Sequence, residues 1–272
     1  MTIFEFNAAI VRAPGESVVG GLRTGGGPAP SLTGIRAEHA FYVRALEEAG
    51  LAVEVLPPLE DFPDSVFVED PALVFAEGAI VLRPGAASRA GEGAALASVL
   101  DRRFERVLTL AEGTADGGDV LATPHAVYIG LSERTDEAGA RALARLLAEL
   151  GRVARIVKPP AGTLHLKSAA ALVDEETIVA TRALAAAGIF AGSRILTVPE
   201  GEEGGANMVR INDRVLAGAH CPRTIEMVRA LGLRVVPLPV AEIGRLDAGL
   251  SCMSLRWRRG PDAASVELMP EE

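Results

Sequence analysis

One local pattern recurs five times along the chain: a short run rich in β-branched residues ends in a turn of Pro, Glu or Gly, usually after an amphipathic helical stretch. The runs are Leu51-Ala-Val-Glu-Val-Leu-Pro-Pro, Phe104-Glu-Arg-Val-Leu-Thr-Leu-Ala-Glu, Arg152-Val-Ala-Arg-Ile-Val-Lys-Pro-Pro, Ser193-Arg-Ile-Leu-Thr-Val-Pro-Glu and Leu233-Arg-Val-Val-Pro-Leu-Pro-Val. Their starts lie 40 to 53 residues apart, the spacing of repeats that stack into solenoids or close into rings, and no low-complexity linker divides them. Apolar residues at spacings of three and four predict helices over Arg36 to Ala49, Glu137 to Leu150 and Pro222 to Leu231. Ala79-Ile-Val-Leu, Ala126-Val-Tyr-Ile and Thr177-Ile-Val-Ala predict further strands. The unit is thus strand, loop, one or two strands and helix, an α/β architecture of five pseudo-symmetric pieces within one domain, 1–272.

After each run comes the most unusual segment of its repeat: Phe62-Pro-Asp-Ser-Val-Phe-Val-Glu-Asp70, Thr114-Ala-Asp-Gly-Gly-Asp-Val120, Thr163-Leu-His-Leu-Lys-Ser168, Gly204-Gly-Ala-Asn-Met208 and Arg245-Leu-Asp-Ala-Gly-Leu-Ser-Cys-Met253. If a rotation relates the units, equivalent segments face one axis, and a single polar site assembled from all five follows.

A chain of 272 residues, 49% of them hydrophobic, can bury a large core, and 27 basic against 36 acidic residues give a net charge of −9. That balance disfavours nucleic acid or an anionic membrane as partner and suits a small cationic ligand. Two cysteines make no disulfide framework, and four histidines without metal-ligand spacing make no zinc site, so a cytoplasmic protein without metal is expected. The start of the chain lacks the basic and apolar regions of a signal peptide. The apolar stretch around Ile178 to Phe190 is too short and too rich in Ala and Gly to span a bilayer.

Cys252 and His165 each read in isolation as small or satisfied core residues; the carboxylates change that reading. Asp64, Glu69 and Asp70 lie among Phe62, Val66, Phe67 and Val68, where unpaired negative charge is expensive, so a cation should meet them. A planar guanidinium, from an internal arginine or from a ligand, matches carboxylates with its fork of donors. Asp116-Gly-Gly-Asp119 is either a tight turn or, with Asp116 facing His165, the orienting carboxylate of a nucleophile and base constellation. Arg89 and Arg134 lie in loops and could grip a carboxylate bidentately; Leu22 to Pro30 is a Gly/Pro-rich connector or lid. Cys221 at a helix start, beside His220, is a rival nucleophile, but neighbours in sequence rarely aim at one atom. His39 and His125 read as helix-surface and turn residues.

Pro63-Asp-Ser-Val-Phe-Val-Glu-Asp-Pro, Arg83-Pro-Gly-Ala-Ala-Ser-Arg, Asp116-Gly-Gly-Asp-Val-Leu, Gly130-Leu-Ser-Glu-Arg-Thr, Leu164-His-Leu-Lys-Ser-Ala and Leu250-Ser-Cys-Met-Ser closely resemble, in order and over nearly the whole chain, the dimethylarginine dimethylaminohydrolase family. The resemblance implies the pentein fold, a five-bladed α/β propeller of ββαβ-like units, and hydrolysis of N-methylated arginines to citrulline without a cofactor. It implies Cys252 as nucleophile, His165 as general acid/base and Asp116 as its orienting carboxylate. It further implies Asp64, Glu69, Asp70 and the Leu246 backbone for the guanidinium and α-amino groups, Arg89 and Arg134 for the carboxylate, and Leu22 for the lid. Relatives that convert free arginine typically carry His-x-Asp, whereas here the triplet is His165-Leu-Lys167, which leaves room for methyl groups. Arginine deiminase, and a non-catalytic binder of arginine-like cations, are the alternatives; the ring also occurs in a ribosome-binding factor, which would predict loss of Cys252 or His165. A monomer or homodimer is expected.

Overall fold

The computed structural model describes residues 3–25 and 27–260; the remainder of the expected domain, Gly26 of the loop included, lies outside the described residues. Its strands are β1 (Ala8–Arg12), β2 (Ala52–Leu56), β3 (Ala72–Phe75), β4 (Gly78–Val81), β5 (Val107–Thr109), β6 (Val120–Ala122), β7 (Val127–Gly130), β8 (Ala154–Val157), β9 (Ala170–Leu172), β10 (Thr177–Ala180), β11 (Arg194–Thr197), β12 (Val209–Ile211), β13 (Arg214–Gly218), β14 (Arg234–Leu238) and β15 (Leu255–Trp257). The helices are α1 (Leu32–Glu48), α2 (Glu92–Asp101), α3 (Glu137–Glu149), α4 (Arg182–Ala186) and α5 (Pro222–Arg229).

These strands form five three-stranded sheets, and all five recurring runs become the last strand of a sheet: β2, β5, β8, β11 and β14. In every sheet the middle strand pairs antiparallel with one neighbour and parallel with the last strand, and a helix makes the parallel crossover. Four sheets are continuous in sequence. In the fifth, β15 from the far end of the chain pairs with β1 and closes the ring. The chain is thus a five-bladed α/β propeller of ββαβ units.

Local chemistry fixes the helix ends. The Ser31 hydroxyl accepts the Gly34 N–H at 3.3 Å, the Asp136 carboxylate accepts the Gly139 N–H at 2.6 Å, and Pro222 opens α5, where a missing N–H costs nothing. Each helix packs between its own sheet and the sheet of the preceding blade. Ile35, Tyr42 and Leu46 of α1 meet Ile211, Leu216 and Leu238; Leu143 and Leu147 of α3 meet Ile80 and Leu82; Ile225 and Val228 of α5 meet Val173 and Val179. At about 1.5–3 kcal/mol for each fully buried large aliphatic side chain, these wedges are what keeps the blades together. His39 departs from the expected helix surface: it is 5% exposed on the core side of α1, because it falls on the same helical stripe as Ile35, Tyr42 and Leu46. Among the described residues no helix is long and apolar enough to cross a membrane.

Candidate active site

Four of the five blades enter their first strand through a 3-10 turn, and these turns carry the polar segments toward the axis: Gly117–Asp119 before β6, Leu166–Ser168 before β9, Glu203–Ala206 before β12 and Leu250–Met253 before β15. In the remaining blade the turn-rich segment 62–71 precedes β3. Cys252 therefore sits in a turn, and the strand that follows starts only at Leu255. Cys252, His165, Asp64, Asp70, Asp116, Arg89, Arg134, Leu22 and Leu246 all line one pocket of about 100 Å³, which closes over Phe67, Leu164 and Ala248.

Cys252 is 8% exposed, and its carbonyl accepts the Glu69 N–H at 3.1 Å, tying the nucleophile turn to the acidic segment. Burial, then the charges of Asp70 and Glu69, push its thiol up to about 12. His165, also 8% exposed, has its Nε2 3.1 Å from the Asp116 Oδ2. Burial alone would lower the imidazole's pKa, but the charge of Asp70, the Asp116 hydrogen bond and the charge of Asp119 outweigh it and hold it up at about 9. At neutral pH the resting pocket is therefore lined by an imidazolium and a neutral thiol. Asp116 is itself fixed, since its Oδ1 accepts the Gly85 N–H at 2.8 Å. Asp119 accepts the Leu166 N–H at 3.0 Å and the hydroxyls of Ser132 and Thr135 at 2.6 and 2.7 Å, holding the turn that follows His165.

Asp70 accepts the Gly118 N–H at 2.9 Å and pairs with Arg89 at 2.5 Å. Burial would raise its pKa, but Arg89 and His165 hold it below the usual carboxylate range. Asp64 accepts the Leu22 N–H at 2.9 Å, and burial raises its pKa despite the nearby Arg89 charge. Leu22 is 38% exposed in the loop over the pocket, and Thr24 donates its N–H and its hydroxyl to Asp247. Glu38, buried on α1, accepts the N–H groups of Glu242 and Ile243 and so holds the turn Ile243–Leu246, whose Leu246 lines the pocket beside that loop.

Two sequence assignments change. Arg89 is no free fork at a pocket rim: it is 5% exposed, with Nε on Glu92 at 3.0 Å, Nη1 on Asp70, and Nη2 on Glu92 and the Asp64 and Phe67 carbonyls. A guanidinium has five N–H groups, so one on Nη1 is left over, and bidentate grip by Arg89 is ruled out. Arg134, half-buried, makes no side-chain hydrogen bond to the described residues and is the open cation of the pocket. Glu69 borders a different, larger cavity of about 540 Å³ along the axis, which touches neither Cys252 nor His165. Its Oε1 pairs with Lys167 at 2.6 Å and with Arg256 at 3.4 Å, while its buried Oε2 has no partner among the described residues.

Cys221 is buried at the start of α5, away from the pocket, and burial and Glu202 push its thiol up, the reverse of an activated nucleophile. Asp70, Asp116 and His165 offer ligand atoms within 4.8 Å of one another, yet each is already engaged by hydrogen bonds or ion pairs within the protein. Glu38, Asp119, Asn207 and Asp247 shape the pocket without having been singled out as functional. Their signal was available only as position within the repeat, as for Asp119 and Asn207, or as an acidic residue on a helix's apolar stripe, as for Glu38.

A family model described as arginine deiminase matches residues 55–198. The chain is 36% identical over 256 residues to N(G),N(G)-dimethylarginine dimethylaminohydrolase of Pseudomonas aeruginosa, covering 93% of this chain and 100% of that one. It is likewise 36% identical to the Streptomyces coelicolor enzyme of the same name, over 92% of this chain and 96% of that one. A solved structure of a Cys→Ser variant of the Pseudomonas aeruginosa enzyme, complexed with citrulline, matches with a TM-score of 0.90 over 93% of this chain and 100% of that chain.

Proposed function

Since the chain belongs to the dimethylarginine dimethylaminohydrolase family, we propose that its pocket hydrolyses N-methylated arginines to citrulline and dimethylamine or methylamine, with Cys252 as nucleophile. The observation that carries this reading is the joint placement of the Cys252 sulfur, the His165 imidazole held by Asp116, and cation-seeking carboxylates on one small pocket. The substrate's guanidinium is read by Asp64 and Asp70, which line the Cys252 pocket, while Glu69 stays outside it, paired with Lys167. Arg134, helped by the single spare N–H of Arg89, holds the carboxylate, the Leu246 backbone receives the α-amino group, and Leu22 covers the pocket.

Burial is the largest obstacle to ionising Cys252, and the negative charges of Asp70 and Glu69 add to it. A bound guanidinium offsets those charges, so the thiol loses its proton to solvent when the substrate is in place. The thiolate Sγ then bonds to the guanidino carbon. His165 gives its proton to the methylated nitrogen, the C–N bond breaks, and the amine departs, leaving an S-alkylthiouronium. Neutral His165 next takes a proton from water as its oxygen adds to the same carbon; the C–S bond then breaks as the adduct's hydroxyl proton passes to the leaving sulfur, which restores the Cys252 thiol and releases citrulline. The triplet His165-Leu-Lys167, which by the resemblance replaces the His-x-Asp of relatives acting on free arginine, supports the methylated substrate, and Lys167 is itself paired with Glu69 at 2.6 Å. The whole of 1–272 acts as one catalytic domain, in the cytoplasm and as a monomer or homodimer; the unpaired cysteines and the charge of −9 support that setting and give no reason to invoke a nucleic acid or membrane partner.

Citrulline release from asymmetric dimethylarginine and from free arginine, by wild type and Cys252→Ser, tests the reading. Turnover of the methylated substrate alone, lost in the variant, is expected. Preference for arginine would move the chain to the deiminases, and binding without turnover would leave only a cation-binding role.

A further inference from the structure

The blades do not contribute equally to the chemistry. Asp70, Asp116, His165 and Cys252 come from four of them, whereas the segment Gly204-Gly-Ala-Asn207-Met208, at the equivalent place in the remaining blade, supplies no acid, base or nucleophile. Its polar side chain is an amide, and every strong contact of that amide runs sideways to a neighbouring turn. Asn207 Nδ2 donates to the Lys167 carbonyl at 3.1 Å and to the Ser251 hydroxyl at 3.1 Å, and Oδ1 accepts the Ser251 N–H at 3.2 Å. The amide has only one orientation open to it. A backbone N–H can only donate and a backbone carbonyl can only accept, so the oxygen faces Ser251 and the nitrogen faces Lys167. Lys167 lies in the turn that begins at His165, and Ser251 directly precedes Cys252.

Two further observations point the same way. Ser251 Oγ lies 3.8 Å from the Cys252 sulfur, and because its oxygen already accepts from Asn207, its own proton is free to be directed at that sulfur. Gly249 has φ −141° and ψ −172°, a backbone conformation any residue adopts, yet a Cβ there would fall 2.4 Å from the Asn207 Cγ and Oδ1 and 2.8 Å from its Nδ2. The glycine is thus required by the presence of the amide and not by its own backbone.

We propose that Asn207 is a positioning residue for the reaction: it cross-links the His165 turn to the Cys252 turn and, through the Ser251 hydroxyl, presents a hydrogen bond to the nucleophilic sulfur. The inference rests on Cys252 and His165 acting as described above. Loss of the amide should slow the chemical steps and make the thiolate harder to form while leaving the substrate's recognition groups in place.

The test compares wild type with Asn207→Ala, Asn207→Asp, Ser251→Ala, Gly249→Ala and the Asn207→Ala/Gly249→Ala pair, each checked for wild-type circular dichroism. Turnover of asymmetric dimethylarginine and the pH dependence of Cys252 alkylation by iodoacetamide, read by peptide mass, are measured. Asn207→Ala and Asn207→Asp should each lower kcat by about 10-fold or more, the size of a lost buried hydrogen bond, with KM within about 2-fold. In Asn207→Ala and Ser251→Ala the alkylation profile should move to higher pH. Gly249→Ala should reproduce the loss, and adding it to Asn207→Ala should cost nothing more, since the clash is gone. Wild-type kcat and alkylation profile in the Asn207 variants, or additive losses in the pair, would overturn the proposal. If Asn207→Ala does not fold, Ser251→Ala and Gly249→Ala decide alone. Absence of turnover in the wild type would instead count against the assigned reaction, and the alkylation profiles would still judge Asn207.

Discussion

Arg89 and Arg134 border the same pocket but differ in how many of their donors are already in use. Removing Arg89 would strand Asp70 and Glu92, both buried and both paired with it, and breaking one side of a buried ion pair costs about 3–5 kcal/mol. Arg89→Ala is therefore expected to lower the urea midpoint markedly, whereas Arg134→Ala should unfold at the wild-type midpoint. Its effect should appear as a rise in KM and a fall in kcat/KM of about 10- to 100-fold, the size of one charge-assisted hydrogen bond to the substrate carboxylate. Equal loss of stability in the two variants would refute this division of roles. At His165 the corresponding residue-scale lever is Asp116, whose hydrogen bond and charge are among the forces holding the imidazole at about 9. Asp116→Asn keeps the shape and removes the charge, so the apparent pKa of His165, followed by NMR, should fall. The kcat should drop by about 100-fold, as for a misoriented general acid. An unchanged titration would mean that Asp70 and Asp119 hold the imidazole without help.

The elements that matter most are short turns, and their glycines set how closely they approach. A Cβ on Gly118 would lie 2.7 Å from the His165 Nδ1 and 2.9 Å from Asp70 Oδ1, so Gly118→Ala should push the ring off Asp116. The expected result is a variant with near-native circular dichroism, at least about 10-fold slower in kcat, whose His165 titrates below its wild-type value. A fully active Gly118→Ala would show that the turn has slack. How much of this was readable beforehand follows from the same geometry. The β-branched runs, the helices of 3.6 periodicity and the segments facing the axis could be found because each is a continuous local signal. So could Cys252, His165 and Asp116, because the motifs around them are contiguous. The pairing of β15 with β1 was not readable, since it joins opposite ends of the chain through three short residue pairs. The commitment of Arg89 was hidden for a related reason: an arginine beside small loop residues looks solvated until Glu92, three positions on, turns out to be buried at the start of α2. His39 was misplaced because a polar residue on an apolar stripe is read outward when only the composition of the stripe is weighed.

Over the whole molecule, the ring is closed by apolar wedges that bury a few titratable groups as a by-product, and two histidines give its stability a definite pH dependence. His39, whose Nε2 has no partner among the described residues, is held down at about 4, chiefly by burial, against an ordinary value of 6.5. The unfolded chain therefore binds a proton at this site before the folded one does, and stability is lost as pH falls from about 6.5 toward 4. His165 has the opposite sign. Its folded value of about 9 means that its contribution is complete below 6.5 and disappears as pH rises through 9. At about 1.4 kcal/mol per pH unit, lowering the pH from 6.5 to 5 costs about 2 kcal/mol through His39, and raising it from 6.5 to 8.5 costs about 2–3 kcal/mol through His165. Urea denaturation of the ligand-free protein between pH 5 and 9 should accordingly show a maximum near pH 6.5. His39→Leu should flatten the acid limb and leave the alkaline limb intact, while His165→Gln should do the reverse. A wild-type midpoint that climbed steadily through pH 9, or a His39→Leu protein that kept its acid limb, would mean that other buried groups, rather than these two histidines, couple the closed ring to pH.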